Sequence, residues 1–142
     1  MNTQSKMQTL LLAAATALGL AVGLALPAFA QEQPPQPMHQ GDVTYVTGGV
    51  GEGARAALET TAKDYNLRIT NADKKSEMTG MDSLVIKDGK GTAILTLQNG
   101  DPILYAKLPA GTYTVEAKNG SESKIEKVTI GAEKASDIHF IW

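Results

Sequence analysis

The chain of 142 residues contains no cysteine, two histidines, one tryptophan, four tyrosines and two phenylalanines. The missing thiols exclude disulfides, thiolate metal centres and lipid attachment to a cysteine behind an export leader. His139 is the one histidine within the region that patterns as folded, and no G-x-S-x-G elbow is present, so a nucleophilic triad has no partners to assemble from. Charge of one sign is also lacking. The 13 Lys+Arg and 15 Asp+Glu leave −2 at neutral pH and are scattered singly, so no basic stripe exists to meet nucleic acid or an anionic membrane surface.

What is present begins with an export signal. Lys6 precedes an uncharged apolar run from Leu10 to Leu26, which closes on Pro27-Ala28-Phe29-Ala30, and small residues at 28 and 30 fit signal-peptidase cleavage. Residues 1–30 are therefore expected to be a signal peptide cleaved near Ala30, leaving a periplasmic or secreted protein without a stable membrane anchor. Removing Lys6 with the leader leaves 12 basic against 15 acidic residues over 112 positions, enough chain for one self-sufficient core. Residues 31–41, with Pro34, Pro35 and Pro37, read as an extended linker that also carries His39. One nitrogen ligand in a tether makes no metal site, and no metal is expected.

Residues 42–66 read as a strand followed by a helix. Val43 and Tyr45 alternate with threonines, and after a glycine-rich break Ala54, Ala57, Leu58, Thr61 and Tyr65 recur at helical spacing, predicting a helix over about 52–65 that lies on a sheet. Residues 67–142 read as a β-sandwich. Leu67 and Ile69 give a strand, Asn71 to Gly80 a long loop, and from Ser83 turn signals recur about every ten residues at Asp88-Gly89, Asn99-Gly100, Pro109-Ala110-Gly111, Asn119-Gly120 and Gly131. Parity assigns Leu84 and Ile86, then Ala93, Leu95 and Leu97, then Leu104, Ala106 and Leu108, then Tyr113, Val115 and Ala117, and last Ile138, Phe140 and Trp142, to the core. Between Ile125 and the pair Val128 and Ile130 the parity changes, so that strand either bulges or exposes one of them and reads as an edge. The fold class is mainly β: a single antiparallel sandwich of about seven strands with one N-terminal helix packed on it, which sequence separates only weakly from a barrel.

Three motifs invite chemistry. Gly49-Val50-Gly51-Glu52-Gly53-Ala54 matches the dinucleotide fingerprint, and Asp73 follows about twenty residues on, but the repeated crossover helices of such a domain are missing; the glycines read as a strand-to-helix turn and no cofactor is expected. Ser121-Glu122-Ser123-Lys124 matches S-x-x-K, yet falls in a hairpin turn and not at a helix start. Asp82, Asp88 and Asp101 lie near turns without calcium-loop spacing. No catalytic residue is assigned. The binding candidates are the scarce aromatics Tyr45, Tyr105 and Trp142, which can stack on sugars or anchor a protein, and can equally fill core. A coplanar exposed pair would favour sugar; burial of all three would favour a protein partner or a structural role.

Leu108-Pro109-Ala110-Gly111-Thr112-Tyr113-Thr114-Val115-Glu116-Ala117, with Val128-Thr129-Ile130 and Ile138-His139-Phe140, resembles the late strands of carboxypeptidase-regulatory-like domains, which are transthyretin-like sandwiches. Tyr45 to Gly51 and Tyr65 to Leu67 look like small exported proteobacterial proteins carrying such a domain. The resemblance implies a folded accessory module without peptidase activity and transfers no catalytic residue. The expected function is thus a non-enzymatic periplasmic module that recognises a protein or an envelope glycan. The alternatives are a carbohydrate-binding sandwich and, more remotely, a small periplasmic enzyme.

Overall fold

The structure, a computed structural model, describes residues 34–142. The expected signal peptide, its cleavage site and the first linker residues lie outside the described residues.

Among the described residues nine strands form two sheets. Sheet A has the order β1-β2-β6-β3-β9 and sheet B the order β5-β4-β7-β8. Sheet A contains β1 (Met38–Gln40), β2 (Val43–Gly48), β3 (Leu67–Ala72), β6 (Ile103–Lys107) and β9 (Ser136–Ile141). Sheet B contains β4 (Met81–Lys87), β5 (Ala93–Gly100), β7 (Gly111–Asn119) and β8 (Glu122–Ile130). The helix α1 (Glu52–Glu59) lies between β2 and β3 in sequence. The mainly β sandwich read from the punctuation is the observed architecture. β2 sits between β1 and β6, so the strand before residue 67 is integral to the sandwich.

Parity holds where a strand faces the other sheet. Leu84, Ile86, Leu95, Leu104, Ala106, Val115, Ala117 and Phe140 are buried in one core between the sheets. Ala93 is exposed, because β4 and β5 slip register between Ile86 and Lys87, which ends the alternation there. β8 keeps an unbroken register with β7, so the parity change is resolved by exposure of Ile125 on an edge strand and not by a bulge.

Several local expectations are corrected by tertiary structure. β1 is an added strand: it pairs with β2 through the two-residue turn Gly41-Asp42, where Gly41 takes φ of 54°. The sandwich is not wholly antiparallel, since β9 runs parallel to β3, with Ile69 opposite Ile138. The helix stops at Glu59 and resumes as a 3-10 turn over Ala62–Asp64. Its stop has a chemical cause: the hydroxyls of Thr60 and Thr61 donate to the carbonyls of Ala57 and Leu58, each at 2.7 Å, competing with the helical ladder. Asn99-Gly100 is no hairpin, because β5 and β6 belong to different sheets and the chain crosses between them. β3 extends through Asn71, which is fully buried where a loop was expected.

The glycine-rich junction is explained by packing. Gly49 has φ of 95°, and a Cβ there would lie 2.8 Å from Ile103 Cδ1. The parallel strands β2 and β3 flank β6, antiparallel to both, so they are not the adjacent strands of a dinucleotide-binding unit. The helix lies on the outer face of sheet A, where Leu58 joins Val46, Tyr65, Ile103 and Tyr105 in a second apolar cluster.

Candidate functional site

All three aromatic candidates are covered, which answers the exposure that the sequence left open on the side of core filling. Tyr45 is 6% exposed in the main core, Tyr105 6% in the cluster under the helix, and Trp142 9%. Tyr105 has the outward parity expected of a surface residue on β6; it is buried because the helix covers that face. Trp142 stacks on Phe140 with ring centres 5.9 Å apart, carries Lys124 Nζ 5.6 Å above its ring, and donates Nε1–H to Asn71 Oδ1 at 3.3 Å. These three rings are packed among buried residues, with little surface left for a ligand.

The other singled-out residues have local tasks. Asp82 accepts the Gly120 N–H at 2.7 Å, Asp88 accepts those of Lys90 and Thr92, and Asp101 accepts the Thr47 hydroxyl at 3.0 Å. Ser121 stands in the β7–β8 turn and His139 is exposed on β9. Among the described residues no three His, Asp or Glu side chains gather as metal ligands, and no helix is long and apolar enough to cross a membrane.

The titratable groups that depart from their ordinary values are three tyrosines. Burial raises Tyr105 first; Glu59 and Asp137 add to the rise, and Arg68 opposes it. Arg68 Nε lies 3.4 Å from Asp137 Oδ1, close enough for an ion pair but without hydrogen-bond geometry, and the partly exposed pair contributes little. Burial likewise raises Tyr65, with Asp64 adding, and Tyr113, with Asp88 adding. A tyrosine pushed up stays neutral, which suits a packing role and not a general base near neutral pH.

One concavity lies at the end of the sandwich where the β1–β2 turn meets β5. A cleft of about 550 Å³ opens there, its apolar lining made of buried Val43, Leu95 and Tyr113 with half-buried Ile94 and exposed Pro109. Exposed Asp42 and half-buried Asp88 also line it, and no Lys or Arg does. The local sequence builds each wall. Pro109 turns the chain from sheet A into sheet B, and the Tyr113 hydroxyl reaches back to donate to the Pro109 carbonyl at 2.7 Å, fixing the ring as part of the lining. Gly111 in this turn is not left-handed. Gln40 closes the side: its Nε2 donates to the Thr96 carbonyl at 2.9 Å and its Oε1 accepts the Thr96 N–H at 3.0 Å, so one amide pairs with the free edge of β5. An apolar lining with a few polar groups of one sign suits an apolar side chain flanked by cations. Two more polar clefts exist. One of about 600 Å³ holds Arg55 with Glu77 and Asp101; one of about 550 Å³ mixes Lys63, Arg68, Lys107 and Lys134 with Asp64 and Glu133.

The cleft residues were not assigned from sequence. Gly41-Asp42 and Asp88-Gly89 are legible as turn signals, but their meeting at one end depends on long-range pairing that no local motif encodes.

Fold and cleft together define a β-sandwich with a partly apolar, acid-lined opening at one end. No protein-family model and no curated protein matches the chain. Among solved structures it is similar to the Bacillus anthracis TIE protein, with 21% identity and a TM-score of 0.41, over 54% of this chain and 15% of that one. The chain spans a small part of that protein's length, and the likeness carries no argument about function.

Proposed function

We propose that this chain is an exported, non-enzymatic accessory module, of the carboxypeptidase-regulatory-like kind, that recognises a protein segment bearing an apolar side chain beside Lys or Arg. The observation that supports this reading is the end cleft, lined by apolar Val43, Leu95, Pro109 and Tyr113 together with Asp42 and Asp88 and by no Lys or Arg. An apolar anchor contributes affinity by leaving water, and the acids select a cationic neighbour by charge complementarity. Export with cleavage near Ala30 belongs to the same proposal and rests on the leader pattern; intact mass of the periplasmic protein tests it, and retention of residues 1–30 would contradict it.

The binding test is fluorescence anisotropy with a short labelled peptide carrying leucine between lysines, against an analogue with glutamates in place of the lysines. Saturable binding of the basic peptide, weakened by salt and lost in Asp42→Lys, is expected. Equal binding of the acidic analogue, or no binding of either peptide, would overturn the assignment.

A further inference from the structure

The far edge of sheet B carries a second, independent inference. β8 is an edge strand of nine residues, and Ile125 on its outer face is 62% exposed. Its backbone polarity follows from the β7–β8 turn. The two-residue loop Gly120-Ser121, with Gly120 at φ of 61°, closes on Asn119 opposite Glu122. Residues flanking such a loop exchange both backbone bonds, and the alternation repeats at Lys124, Glu126 and Val128. Ser123, Ile125, Lys127 and Thr129 therefore aim their N–H and C=O away from β7. The Thr129 carbonyl confirms the direction, accepting the Ser136 hydroxyl from β9 at 3.2 Å. No hydrogen bond among the described residues reaches the outward groups of Ser123, Ile125 and Lys127.

We propose that this edge pairs antiparallel with β8 of a second copy of the chain about a two-fold axis at Ile125, joining the two B sheets into one. The register is set by polarity and charge. An axis at Ile125 places outward-facing Ser123 opposite Lys127 of the second copy and Ile125 opposite itself, so all three free residues exchange backbone bonds across the junction. The intervening close pairs set Lys124 against Glu126 of the second copy, twice, with opposite charges facing. An axis at Lys127 would oppose that lysine to itself. An axis at Ser123 would run the second strand off the end at the Gly120 turn. The end cleft lies by β5, at the opposite edge of sheet B, so pairing leaves both clefts open.

Sedimentation equilibrium on the leaderless chain tests the proposal, with folding followed by circular dichroism. The parent should form a concentration-dependent dimer. Lys124→Glu and Glu126→Lys should each be monomeric at concentrations where the parent pairs, and the double variant, which restores opposite charges across the axis, should dimerise again. Lys124→Glu also loses its contact with the Trp142 ring; if it fails to fold, Glu126→Lys and the double variant decide. Hydrogen exchange gives a second readout: the amides of Ser123, Ile125 and Lys127 should become protected as concentration rises, while those of Lys124 and Glu126 are protected throughout. A monomer at every accessible concentration, a dimer indifferent to the single charge reversals, or protection that does not alternate would overturn the proposal.

Discussion

Tyr113 is the residue on which the sandwich end and its cleft both depend, and its substitutions separate the forces that hold it. The ring is 7% exposed among core residues, and its hydroxyl is bonded to the Pro109 carbonyl. Tyr113→Phe keeps the ring and loses one hydrogen bond, which costs about 1 kcal/mol. Tyr113→Ala removes the ring as well. Burial alone would put the loss at roughly 3–5 kcal/mol, and because one side of the ring faces an open cleft that water can enter, the lower end of that range is expected. This is a large share of the roughly 5–15 kcal/mol that holds such a domain together. Gly111→Val is the control for the turn: its Cβ would lie 3.7 Å from the Tyr113 ring, an ordinary contact, and the backbone is not left-handed, so the change should fall within about 0.5 kcal/mol of the parent. Thr114→Ala, on the outer face, should be similarly mild. Urea unfolding followed by circular dichroism gives the four midpoints. A Tyr113→Ala variant as stable as the parent would refute the burial argument, and a Gly111→Val variant as damaged as Tyr113→Ala would refute the backbone assignment.

Asn71, fully buried, accepts from Trp142 Nε1 and directs its Nδ2 to the Pro102 carbonyl at 3.4 Å and Met81 Sδ at 3.5 Å, all long bonds. Asn71→Leu should cost roughly 1–3 kcal/mol by stranding the indole donor, and adding Trp142→Phe should cost less than the sum of the two single changes, because the donor is gone; strict additivity in urea unfolding would show that the contact carries no energy. Tyr65, Tyr105 and Tyr113 all hold their protons above the ordinary 10.0, chiefly through burial. The unfolded chain then ionises first, so stability is intact below about pH 10 and falls as pH rises toward the folded values. Urea midpoints and tyrosinate absorbance should therefore change together between about pH 9 and pH 11, and full ionisation of the folded protein without loss of midpoint would contradict the burial of these rings.

Strand positions were legible because they repeat a period of two and are punctuated by glycine turns, as with Leu84 and Ile86 or Val115 and Ala117. Which strands share a sheet was not. Asn99-Gly100 carries a hairpin signature and yet crosses between sheets, since β6 finds partners on both sides in β2 and β3. Parity set Tyr105 on the face of β6 opposite Leu104 and Ala106 but could not say whether it is exposed, because period reports which side a residue faces and not whether a helix covers that side. The Ile125 edge was readable, as its exposed position breaks the core parity of its strand. The cleft was not: Asp42, Asp88, Ile94 and Pro109 come together through register between distant strands.

Peptide recognition at the end cleft is tested by an amide chemical-shift titration of the leaderless protein with the leucine–lysine peptide. Saturable shifts centred on Val43, Asp88, Leu95 and Tyr113, reduced by salt, are expected, with β9 and the helix unchanged. Shifts centred on the basic cleft around Lys63 and Lys134, or none at peptide excess, would contradict it.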